Sequence, residues 1–193
     1  MSTFTESDLL FTFPDDWVVR KFDDTVAYQS LSGHGLKGVD FIALSPDGKL
    51  WLMEVKNYRP RQKAEKEYRA KRRPPAQLAE HVAKKFSDTH RLLKIVDASL
   101  RKRWWSRIRL YYLEKLRPNT ASNYWFWTEA KRRADQPESL VYVLWLETPE
   151  VPDNYDAATR RELLAHLEPK VDLFVVEGER PHDLPIGIRG LGG

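Results

Sequence analysis

A mixed α/β fold is predicted by three features of this 193-residue chain. Two apolar runs, 39–44 and 50–55, flank Pro46-Asp47-Gly48, where proline presets φ and glycine accepts a positive one, so they read as a tight hairpin. Residues 77–96 repeat apolar side chains at helical spacing. The last third holds an apolar run at 140–146, a helical pattern at 155–167 and a second apolar run at 171–176. A strand–helix–strand end of this kind favours a parallel pair with a right-handed crossover. The hairpin adds antiparallel neighbours, so the sheet is expected to be mixed.

In chain order, the first element is expected to be a helix. Ser7 or Asp8 can cap it, Leu9 to Phe13 supplies apolar residues, and Pro14 would stop it. Residues 17–22 supply a strand that runs into Asp23-Asp24. A glycine-bearing connector at 32–38, with His34 read as a loop residue, leads into the hairpin. After the hairpin comes a run dense in Lys and Arg, with Tyr58 and Tyr68 interleaved, ending at Lys71-Arg72-Arg73. In the helix that follows, Leu78, Val82, Phe86, Leu93 and Val96 mark the buried face. Gln77, His81, Lys84, Asp88 and Arg91 line another face. Residues 99–116 read as a second helix, in which Arg101, Lys102, Arg103, Arg107 and Arg109 alternate with Trp104, Trp105, Tyr111 and Tyr112. A further helix starts at Ser122 or Asn123 and runs through Arg133. Residues 98–133 therefore read as a basic, Trp-rich helical insertion in a single domain spanning 1–193. The tail from Gly178, rich in Gly and Pro, is expected to fray.

Composition narrows the class. The chain is 41% hydrophobic and 31% charged, which suits a packed domain rather than a disordered one. No apolar run approaches the ~20 residues that span a bilayer, so no membrane partner is expected. The first residues lack a basic, apolar leader pattern, and there are no cysteines. A cytoplasmic location without disulfides or thiolate zinc sites is the expectation. The net charge of +4 hides an asymmetry: residues 59–133 carry 22 Lys and Arg against 7 Asp and Glu, while both flanks are acidic. So basic a centre is the footprint of a polyanion partner, and nucleic acid is the expected one. Arg59, Arg61, Lys71, Arg72, Arg73, Gln77 and Lys84 are the candidate phosphate contacts.

The hairpin carries the chemistry. Asp40 lies near the start of its first strand and Glu54 near the end of its second, and an antiparallel turn brings those ends together. Glu54 and Lys56 are two residues apart, so in a strand they share a face. Carboxylates in apolar strands need a counter-charge or a metal. Asp40, Glu54 and the Val55 carbonyl form a set of hard oxygen donors suited to Mg²⁺ or Mn²⁺. Lys56 is placed to orient a water and to neutralise charge on a phosphate.

Asp40, then Glu54-Val55-Lys56, resembles the PD-(D/E)XK nuclease superfamily, which includes restriction endonucleases, Holliday-junction resolvases and RecB-type nuclease domains. Val39-Asp40 replaces the usual Pro-Asp. Gln77 matches a glutamine on the following helix of RecB-type members, while His81 departs from the aromatic expected four residues later. The resemblance implies a restriction-endonuclease-like mixed β-sheet flanked by helices, and a Mg²⁺-dependent nuclease that hydrolyses phosphodiester bonds, in DNA first. It implies Asp40, Glu54 and Lys56 as catalytic residues, with Asp40, Glu54 and Val55 at the metal. It also implies an upstream acid reaching the metal. Glu6, Asp8, Asp15, Asp16, Asp23 and Asp24 are candidates, and Asp24, just before the glycine-rich break, is the choice. The alternative from the same residues is a catalytically inactive nucleic-acid-binding or interaction subunit of a larger complex. A homodimer or a larger repair or defence assembly fits either reading.

Overall fold

The computed structural model describes residues 1–31, 35–63, 66–68, 71–102, 108, 111–112, 120–148, 154–178 and 182–191. His34 and most of the expected second helix, with Arg103, Trp104, Trp105, Arg107 and Arg109, lie outside the described residues.

The centre is a five-stranded mixed sheet. Its strands, in spatial order, are β3 (Val18–Lys21), β4 (Phe41–Leu44), β5 (Leu50–Asn57), β8 (Leu140–Glu147) and β9 (Asp172–Glu177). β3, β4 and β5 are antiparallel, whereas β5, β8 and β9 are parallel. The hairpin forms as its sequence demands. Gly48 takes φ +86°, Gly48 N–H bonds the Ser45 carbonyl at 3.2 Å, and buried Arg133 donates to the Ser45 and Lys49 carbonyls at 2.8 and 2.7 Å. Parallel pairing follows from the two helical crossovers, α2 (Pro75–Arg101) between β5 and β8, and α4 (Tyr155–Leu164) between β8 and β9.

The sheet is covered differently on its two faces. Leu50, Leu52, Leu144 and Leu146 meet Leu78, Val82 and Phe86 of α2, Phe126 and Trp127 of α3 (Asn123–Ala134), and Leu163 of α4. Trp51, Met53, Val143 and Trp145 meet Leu9, Phe11 and Phe13. Fully burying such side chains is worth ~1.5–3 kcal/mol each. The mixed sheet expected from the sequence is present; helices cover one of its faces and a small antiparallel sheet covers the other. That sheet comprises β1 (Ser2–Glu6), β2 (Leu9–Phe13) and β10 (Gly187–Gly190).

Two expectations are corrected. The N-terminal segment is a hairpin rather than a helix. Ser7 and Asp8 take φ +53° and +62°, the two positive dihedrals of a two-residue primed turn. Leu9, Phe11 and Phe13 are buried at period two, which a helix would not allow. The tail does not simply fray, because β10 pairs with β2 and Leu191 N–H bonds the Asp8 carbonyl at 3.0 Å. A short helix α1 (Val26–Leu31) occupies the mixed-polarity stretch before the connector. Of the stretch read as an insertion, 98–101 ends α2 and 123–133 forms α3, whose Phe126, Trp127 and Ala130 belong to the main core. The basic loop carries a small hairpin, β6 (Arg61–Lys63) and β7 (Lys66–Tyr68). Among the described residues, no helix is long and apolar enough to cross a membrane.

Candidate active site

Register places the key groups. Phe41 pairs with Met53, and Asp40 N–H reaches the Met53 carbonyl at 3.0 Å, which sets Asp40 beside Glu54 at the end of the hairpin. Phe22 N–H holds the Asp40 carbonyl at 2.8 Å from the β3 side. The approach to Asp40 is fixed by α2: Lys37 N–H donates to Asp88 Oδ2 at 3.3 Å, and Val39 N–H to Thr89 Oγ1 at 3.1 Å. Gly38 is obligatory here, because a Cβ would lie 2.1 Å from the Phe22 ring.

The Asp40 Oδ2 accepts the Val55 N–H at 2.7 Å. Glu54 is fully buried, and two ammonium groups answer its charge. Lys56 Nζ contacts Glu54 Oε1 and lies 3.4 Å from the Val55 carbonyl. Lys85 Nζ, from the middle of α2, lies 2.7 Å from Glu54 Oε1, 2.8 Å from Oε2 and 3.6 Å from Asp40 Oδ1. Asp40 and Glu54 thus converge on one cationic centre.

Burial, and then the negative charge of Glu54, push the Asp40 carboxyl up to about 7; Lys85, Lys56 and the Val55 N–H oppose that rise. Burial pulls the Lys85 ammonium down, but Glu54 and Asp40 outweigh it and leave Lys85 above its ordinary value. His81, on the same helix, is pulled below its ordinary value by burial and by the Lys56 and Arg73 charges.

The remaining candidates scatter. Asp24 is exposed and lines a largely apolar cleft of about 630 Å³ with Lys21, Val26, Ile95 and Trp127, where its charge acts on Lys21; Asp40, Glu54 and Lys56 do not line that cleft. Among the described residues, no three His, Asp or Glu side chains group to hold a metal. Arg59 turns to the opposite face of the sheet, where its Nε pairs with Glu147 Oε2 at 2.8 Å. Lys71, Arg72, Arg73 and Gln77 line a cleft of about 810 Å³ at the start of α2. There the Arg72 guanidinium sits 4.4 Å from the Tyr155 ring centroid, and Tyr155 donates to the Arg73 carbonyl at 2.7 Å. Lys84 is exposed. Arg61 lies on β6, and its side chain lies outside the described residues. Tyr58, interleaved with the basic residues in the sequence, is buried in the core.

Lys85 is the site residue the sequence reading missed. Its signal was present. Leu78, Val82, Lys85, Thr89, Leu92 and Val96 follow alternating steps of four and three, so Lys85 is the charged member of an otherwise inward seam. A lysine at such a position demands a buried acid, and Glu54 is that acid.

Two carboxylates thus face one ammonium group, Lys85, at 2.7 to 3.6 Å. No family model matches this chain, and no match was found for it among the curated proteins or the solved structures.

Proposed function

We propose that the chain is a divalent-metal-dependent nuclease of restriction-endonuclease-like fold, hydrolysing phosphodiester bonds in DNA. The observation that carries this reading is the convergence of Asp40 and Glu54 on one cationic centre, with Lys56 on the same strand face two residues beyond Glu54. Asp40, Glu54 and the Val55 carbonyl would hold Mg²⁺ or Mn²⁺. When bound, the ion supplies Lewis-acid activation of the phosphate and of water. Lys56 orients the attacking water and offsets negative charge as it gathers on the phosphorus oxygens. Lys71, Arg73 and Gln77, at the start of α2, bind backbone phosphates and hold the strand for in-line displacement.

A second reading, a catalytically inactive nucleic-acid-binding subunit, draws on the lack of a third acid at the pair among the described residues. One experiment separates the two. Plasmid and single-stranded DNA are incubated with Mg²⁺ or Mn²⁺ and with the wild type, Glu54→Ala or Lys56→Ala. Cleavage by the wild type, lost in both variants while DNA binding persists, is the expected result. Intact DNA with salt-sensitive retention by all three proteins overturns the nuclease reading in favour of the binding one.

A further inference from the structure

The Lys85 ammonium bridges the Asp40 and Glu54 carboxylates. Its ammonium is within 2.8 Å of both Glu54 oxygens and 3.6 Å from Asp40 Oδ1. We propose that Lys85 is a displaceable internal counter-cation, which must leave the Asp40–Glu54 pair before a divalent ion binds there and so sets the metal affinity of the site. The identity of the incoming ion rests on the nuclease reading above.

Charge carries the first part of the argument. Two carboxylates face two ammonium groups, so the cluster is balanced with both acids ionised. A divalent ion added to that set places four positive charges against two negative ones within a few ångströms. Low-dielectric surroundings make such crowding costly. Release of one ammonium relieves it.

Geometry identifies which one leaves. Lys85 bridges both acids, whereas of the two Lys56 contacts only Glu54. An ion shared by Asp40 and Glu54 competes with the bridging group. The Lys85 stem is long and flexible, and its side chain retains 15% exposure, so a route to solvent exists. Its backbone can stay where it is: the Lys85 carbonyl accepts the Thr89 hydroxyl at 2.8 Å, and that hydroxyl oxygen accepts the Val39 N–H. The side chain can therefore swing out without loosening the segment that positions Asp40.

The test is Mn²⁺ binding, measured by titration calorimetry on the wild type and on Lys85→Met. At least tenfold tighter Mn²⁺ binding by Lys85→Met is expected. Equal or weaker binding, or none by either protein, overturns the proposal. Because Lys85→Met strips a partner from a buried carboxylate and can fail to fold, the wild type is also acetylated with an amine-reactive ester, with and without Mn²⁺, and mapped by mass spectrometry. Lys85 labelling should rise severalfold with Mn²⁺, while exposed Lys84 labels equally in both conditions. Lys85 labelling indifferent to Mn²⁺ overturns the proposal. The two readings fail separately. Tighter binding and Mn²⁺-driven labelling without DNA cleavage keep Lys85 as the counter-cation and remove the nuclease. Glu54-dependent cleavage with indifferent labelling does the reverse.

Discussion

Glu54 and Glu147 are both buried acids near the ends of neighbouring parallel strands, yet their surroundings are opposite in kind. Glu54 faces the helices, and its partners are the ammonium groups of Lys56 and Lys85. Glu147 faces the other side of the sheet. Its Oε1 accepts the Trp145 indole N–H at 3.0 Å and its Oε2 pairs with Arg59. An indole N–H is fixed in direction by a ring that is itself packed in the core, so it has one partner for life. An ammonium on a four-carbon stem has no preferred direction and can trade partners. The same burial thus yields a structural acid in one place and an exchangeable one in the other.

The comparison breaks most readily at Glu54. Glu54→Gln leaves two ammonium groups facing a neutral amide, and a loss of about 3–5 kcal/mol in urea-unfolding free energy is expected. A loss under about 1 kcal/mol would mean that the lysines were never committed to it.

Asp40 sharpens the contrast through pH. Its carboxyl is raised to about 7, against about 3.9 for an unfolded aspartate, so between those values the folded state binds the extra proton. Stability contributed by this group is therefore full at acid pH, falls as pH rises through that window, and levels off above about 7. In metal-free buffer, Asp40→Asn should flatten the slope and gain about 2–4 kcal/mol relative to wild type at pH 8. Parallel pH–stability curves for the two proteins would contradict the placement of Asp40 beside Glu54.

The smallest effect is expected at the structural acid. Glu147→Gln keeps an oxygen for the Trp145 N–H and loses only the Arg59 pair. It should cost about 1–2 kcal/mol and leave any DNA cleavage at the wild-type rate. A cleavage defect in this variant, at full folding, would erase the division between the two faces.

Much of this is legible in the sequence alone. The hairpin at 39–55 is declared by a turn only Pro-Asp-Gly-like chemistry favours, and β8, α4 and β9 by apolar runs of the right length and period. Asp40, Glu54 and Lys56 meet because strand periodicity leaves them no other face. What stayed hidden has physical causes. Ser7-Asp8 makes a primed turn without the Asn-Gly signature, so Leu9, Phe11 and Phe13 looked like the start of a helix stopped by Pro14. Gly187-Ile188-Arg189-Gly190 has little strand propensity; its pairing with β2 decides its conformation, and pairing is non-local. Lys84 and Lys85 are indistinguishable by composition. The apolar seam from Leu78 to Val96 puts Lys85 on the inward side, but its partner Glu54 comes from a strand that only the packing of α2 against the sheet brings to it.

The turn at Ser7-Asp8 has a mechanical consequence. Asn57, one residue past Lys56, donates its side-chain N–H to the Ser7 carbonyl at 2.7 Å, while Leu191 N–H holds the adjoining Asp8 carbonyl. Three segments far apart in the chain are therefore knotted at one two-residue corner. A pull on the strand before Leu191 is delivered, through two hydrogen bonds and a single peptide, to the strand end that carries Lys56.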